Sequence, residues 1–166
     1  MNNPNQSATT LSGAPAHNLG LFLRISAVLW IIWGIAHIAF GLFGLNGFLF
    51  GDAAETMKMM AGGADPATLE VNFPAAVVGV LNQHSWNLLW FGVFTTFGGV
   101  FIWRESAISI VMTAIVGGAA DFGYFLFVDL AGFAAFPGPQ LTWVSGSAIL
   151  LSLFVYFRSN QLTKNQ

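Results

Sequence analysis

Four long stretches almost free of charge, residues 21–43, 75–103, 107–130 and 141–157, limit what this chain can become. An apolar run of about 17 to 25 residues is the length at which an α-helix crosses a ~30 Å hydrocarbon core. None of the four alternates polar and apolar residues as a membrane barrel strand does. In lipid every backbone N–H and C=O must be paired within its own segment or a closed barrel. Each stretch is therefore read as a transmembrane helix, and the chain as an all-α, four-transmembrane-helix bundle. The shortest, 141–157, sits near the lower limit of spanning length. Composition agrees: 7% of the 166 residues are charged, where a soluble domain carries about 25%. That balance excludes a soluble globular enzyme. With a net charge of −2 and no basic patch it also excludes a nucleic-acid binder. Cys is absent, so disulfides, thiolate metal sites and Cys nucleophiles fall away together.

The segments between the spans set an orientation. Residues 1–20 are small and polar without Lys or Arg, and read as a disordered tail. Arg24, Arg104, Arg158 and Lys164 fall on one side if the helices alternate, and only Lys58 falls on the other. By the positive-inside rule both termini are cytoplasmic, in a bacterial-type plasma (inner) membrane, with 159–166 as a cytoplasmic tail. Loops 44–74 and 131–140 are then outside. The first carries Asp52, Glu55, Asp65 and Glu70, with a short helical piece around Met57, Met59 and Met60. The second is turned by Pro137-Gly138-Pro139. The start of the second span is ambiguous, because Asn82 is a plausible N-cap and would leave 75–81 as an interfacial segment.

Polar side chains at membrane depth are costly and mark function. Counting ~1.5 Å per residue from the arginine end places His37 about 20 Å up, Asp121 about 22 Å, Asn87 about 24 Å, and His84 and Tyr124 about 28 and 27 Å. Three helices thus put their strongest polar groups in one layer of the outer leaflet. His37 shares a stripe with Gly34, Gly41 and Gly44, where the missing side chains admit a neighbouring helix or a flat ligand. His84 and Asn87 share a face with Phe91 and Thr95; Asp121 and Tyr124 share one with Gly117. An ionised Asp121 cannot face lipid cheaply, and the cations available at its depth are His37 and His84. The Phe and Trp stripes are read as lipid-facing or core.

Several chemistries fit these residues. His37, His84 and Asp121 with a water would make an open zinc site. One or both His would equally serve as axial ligands to a haem. Metalloprotease, dinucleotide and phosphate-loop motifs are absent. The stretches Gln83-His84-Ser85 and Gly123-Tyr124-Phe125-Leu126-Phe127, followed by a Gly/Pro-containing loop and a final helix, resemble styrene oxide isomerase, a family of small four-helix membrane enzymes that hold a haem. The resemblance implies that His84 ligates the iron, that ferric iron acts as a Lewis acid on an epoxide oxygen, and that an aldehyde is formed. It implies that Tyr124 or Asn87 positions the oxygen and that Asp121 stabilises developing positive charge. The family has Phe-Tyr where this chain has Tyr124-Phe125, and its pocket Asn falls where this chain has Trp90. The expected partners are the lipid bilayer, a small apolar ligand and further copies of the chain, since four thin helices enclose little volume. The rival readings are a proton or small-solute conduit through Asp121 and the two His, and a non-catalytic accessory protein whose acidic loop binds a partner.

Overall fold

The computed structural model describes residues 16–164. Its elements are α1 (Ala16–Phe50), α2 (Ala53–Met60), a 3₁₀ turn (Pro66–Leu69), α3 (Ala75–Trp103), α4 (Ala107–Tyr124), a π-helical turn (Phe125–Asp129) and α5 (Gly138–Lys164). Four helices are long and apolar enough to cross a membrane, over Leu19–Phe50, Ala75–Trp103, Ala107–Asp129 and Gly138–Gln161. The all-α four-span reading therefore holds, and the chain has the build of a multi-pass membrane protein.

The boundaries differ from the expected ones in one direction. Helix α1 runs past residue 43 to Phe50, so the 44–74 loop begins as helix, and α2 and the 3₁₀ turn occupy more of it. Residues 16–20 belong to α1 rather than to a tail; the rest of the expected tail, 1–15, lies outside the described residues. Residues 75–81 are helical, and Pro74 rather than Asn82 precedes the first turn of α3. The last span starts at Gly138, and its helix continues through most of the expected 159–166 tail, of which 165–166 lie outside the described residues. Periodicity in hydropathy marks the part of a helix that lipid covers. Backbone hydrogen bonds continue beyond it wherever no residue interrupts them.

The helices alternate up and down and form a closed ring, with α1 against α3 and α5, and α4 against α3 and α5. Apolar side chains gain little from leaving lipid for protein, so close backbone packing through small residues must hold such a ring. The α1–α3 seam does this with glycine. A Cβ on Gly41 would lie 2.5 Å from Leu89 N and 2.8 Å from Leu89 Cα, and one on Gly92 would lie 2.5 Å from the Gly34 carbonyl oxygen. Gly44 is pressed on Ser85 in the same way. At the centre, Trp30 and Trp33 are fully buried and meet edge to face with centroids 5.8 Å apart. Trp30 also covers Gly117 of α4. The α1–α5 seam is fixed by Ser26, whose hydroxyl donates to the Ala148 carbonyl at 2.7 Å. Several other buried hydroxyls turn back to their own helices, as Thr95 does to Phe91 O at 2.8 Å and Ser152 to Ala148 O at 2.8 Å.

The ends of the bundle differ. At one end the guanidinium of Arg24 lies 5.5 Å over the ring of Trp103, with Arg104 next to it in the α3–α4 turn. There Glu105 adopts φ 63 and Ser106 caps α4. At the other end Asp52 caps α2, accepting from Ala54 N at 2.8 Å and Glu55 N at 3.1 Å. Lys58 then bridges Glu55 at 2.9 Å and Glu70 at 3.3 Å. These two carboxylates raise the Lys58 pKa.

Candidate functional site

Asp121 is the polar group that the bundle treats most carefully. It is 6% exposed, and its Oδ2 accepts the indole N–H of Trp33 at 3.2 Å from α1 and the hydroxyl of Ser145 from α5. One carboxylate thus joins three helices. The expectation that a histidine would be its partner is corrected: both donors are neutral. A buried carboxylate needs donors, and indole N–H and hydroxyl groups supply them without bringing a second charge out of water.

His37 stands one turn beyond Trp33 on α1. Its ring stacks on the Trp33 indole with centroids 3.5 Å apart and planes 21° apart. Its Nδ1 lies 2.9 Å from the Trp33 carbonyl oxygen. A carbonyl only accepts, so Nδ1 carries a proton and donates, while Nε2 makes no hydrogen bond to the described residues. Asp121, Trp33 and His37 are therefore one contiguous unit, with Trp33 touching both of the others. Sequence reasoning placed Trp33 among core or lipid-facing aromatics. The available signal was its i, i+4 spacing to His37, which puts both on one face.

The α3 residues lie apart from this unit. His84 is within electrostatic range of His37 but is exposed, and its ring makes no hydrogen bond to the described residues. Asn87 is half-buried and accepts from the Trp90 indole one turn along the same helix at 3.1 Å. Tyr124, on α4, directs its hydroxyl against Gly138 at the start of α5, within electrostatic range of Asp121 and Asp129. Of the residues expected in one layer, His37 and Asp121 are joined through Trp33, while Asn87 bonds within α3, His84 is exposed and Tyr124 packs against Gly138. Among the described residues no group of three His, Asp or Glu side chains is placed to hold a metal ion.

The position of His84 follows from the helix repeat. Gly98 of α3 is closed by Thr113 of α4, and the Thr95 methyl lies 3.3 Å from where a Cβ on Gly117 would be. Thr95, Phe91, Leu88 and His84 continue that α4-facing stripe toward the acidic end. There His84 is exposed, while Leu88 and Phe91 are half-buried, so the stripe is less covered toward the acidic end. This bears on a haem. The glycines of α1 are filled by α3, so no macrocycle enters that seam. A ring ligated by His84 would lie on the α4 side of α3, where the imidazole has no protein partner.

Comparison of the chain with protein-family models, curated proteins and solved structures finds no match.

Proposed function

We propose that this multi-pass protein is a haem-dependent membrane isomerase acting on a small, apolar, epoxide-like substrate. His84 is the iron ligand, and His37 is the second imidazole of the layer. The observation that carries the reading is the exposed His84 ring, which makes no hydrogen bond to the described residues, on a bundle that also holds a buried carboxylate–indole–imidazole unit. When bound, ferric haem supplies a Lewis acid for the epoxide oxygen. The residues of the chain supply the rest. The Tyr124 hydroxyl, against Gly138 at the start of α5, or the Asn87 amide on α3 orients the substrate oxygen. Asp121, fixed by Trp33 and Ser145, provides fixed negative charge in a medium of low dielectric, where such charge acts strongly on a developing cation. The conduit reading is less well supported, because Asp121 bonds to Trp33 and Ser145 and to neither histidine.

The test is an absorption spectrum of detergent-purified protein from haem-replete cells, oxidised and dithionite-reduced, beside His84→Ala and His37→Ala. A Soret band that His84→Ala removes is the expected result, with conversion of an aryl epoxide to the aldehyde as the follow-up assay. A featureless spectrum, or a band indifferent to His84, overturns the reading.

A further inference from the structure

A strap crosses the acidic end of the bundle. Helix α2 folds back along α1, with Thr56 seated on Gly47 and the Met60 sulfur 3.6 Å from where a Cβ on Gly44 would be, beside Ser85 of α3. The chain then passes to the α4–α5 loop. There the Gly63 N–H donates to the Phe133 carbonyl at 3.1 Å. A Cβ on Gly63 would lie 2.6 Å from the carbonyl oxygens of both Gly132 and Ala134, and one on Gly62 would lie 3.0 Å from the Ala135 Cβ. The strap is thus fastened to the α1–α3 seam on one side and to the α4–α5 loop on the other. It lies across the end of the ring nearest His37, Asp121 and Tyr124. Sideways the cover is incomplete. On the α3 stripe that faces α4 nearer the short turn, His84 is exposed and Leu88 and Phe91 are only half-buried.

We infer that the site is closed to water along the bundle axis by the strap and open to the bilayer through a cleft between α3 and α4, so that an apolar ligand dissolved in the hydrocarbon enters and leaves laterally. This inference rests on the proposed function only in treating the layer as a ligand site. It fixes the ligand's chemical class from the route: a molecule that partitions into lipid, with no net charge. Charged molecules are excluded because entry through hydrocarbon costs several kcal/mol.

The chain contains no Cys, so a single nitroxide can be placed by thiol labelling of the full-length protein in detergent and read after reconstitution into phosphatidylcholine vesicles. Leu88→Cys reports the cleft, with Phe91→Cys as a second reporter on the same stripe. Ala67→Cys reports the exposed strap and Ile115→Cys the lipid-facing surface of α4. Collision rates with oxygen, which concentrates in lipid, and with a neutral water-soluble nickel chelate distinguish the environments. The label at 88 should meet oxygen about as often as the label at 115. It should meet nickel at least about tenfold less often than the label at 67, a polar reagent being excluded from hydrocarbon. Gly63→Val, which forces the strap off the two carbonyls, should raise nickel collisions at 88. Nickel collisions at 88 and 91 equal to those at 67 would overturn the inference by showing an axial water path. Low collision rates with both reagents would overturn it by showing a closed cleft. Neither outcome depends on haem: a protein without a Soret band but with a lipid-open cleft loses the proposed reaction and keeps the route, and the reverse pattern loses only the route.

Discussion

Trp33 of α1 donates its indole N–H across the ring to Asp121 of α4 at 3.2 Å while its ring lies flat on His37. That one contact turns a carboxylate that composition alone makes improbable at membrane depth into the junction of three helices. It also fixes the orientation of the imidazole whose Nε2 makes no hydrogen bond to the described residues. Removing either donor leaves Asp121 half-satisfied. Trp33→Phe and Ser145→Ala should each lower stability in detergent by about 1–3 kcal/mol, the range for leaving a buried acceptor short of a donor. The double variant should show a coupling of about 0.5 kcal/mol or more, because both donors share one oxygen. Chemical-denaturant melts followed by circular dichroism check this. Additive losses would mean that the two contacts are independent.

The glycine seam predicts a contrast between positions that look alike in sequence. Gly41→Val places a Cβ against the Leu89 backbone, which cannot rotate away as a side chain can. It should cost about 3 kcal/mol or more, at or above the usual range for overpacking. Gly123→Ala meets nothing within 4 Å and should be neutral or gain up to about 1 kcal/mol from helix propensity. Thermal melting of the two purified variants decides it. Equal effects would place the α1–α3 contact elsewhere.

The strap's docking can be trapped. Gly62 and Ala135 present Cβ positions 3.0 Å apart, slightly closer than the ~3.5–4.5 Å of a relaxed disulfide, so a shift of a few tenths of an ångström is enough. The double variant Gly62→Cys, Ala135→Cys should oxidise to an intramolecular bridge in membranes, visible as a change in gel mobility that reductant reverses. Gly62→Cys paired with Ala67→Cys serves as the control for random collision. No bridge above that control would show that the strap does not rest on the α4–α5 loop.

Lys58 gives the strap a pH dependence. Its ammonium is held by Glu55 and Glu70, which raise its pKa above the ordinary lysine value of 10.5. The bridge is fully formed below that value and is lost as pH rises through the raised one. A nitroxide at Ala67 should therefore be restrained at neutral pH and become mobile above about pH 10.5, with the midpoint moving down in Glu70→Gln. High salt should loosen it at any pH, since exposed charges are screened within ~10 Å at 0.1 M. An unchanged midpoint in Glu70→Gln would remove Glu70 from the bridge.

Much of the architecture could be read from the residues in order. A stretch such as 75–103 with no charge has few folds open to it, and Asp121 between Ala120 and Phe122 had to turn inward because lipid solvates no carboxylate. The stripe of Gly34, Gly41 and Gly44 was legible as a close-approach face. That the approaching surface is α3 rather than a flat ligand was not, since absent side chains record room and not its occupant. The length of α1 was also hidden: Gly44 and Gly47, which hydropathy reads as the start of a loop, are the positions on which Ser85 and Thr56 pack.

What the sequence determined by itself, then, is what must be satisfied: four backbone segments that bond internally, one buried carboxylate that needs donors, and imidazoles at a comparable depth. The tertiary structure alone decided by whom. Trp33 and Ser145 lie 88 and 24 positions from Asp121 along the chain, and only the ring order of α1, α3, α4 and α5 brings them to it. The exposure of His84 on the α4-facing stripe of α3 is likewise decided by packing. Local periodicity fixes which face of a helix a residue occupies, and the packing of the whole bundle fixes what stands opposite that face.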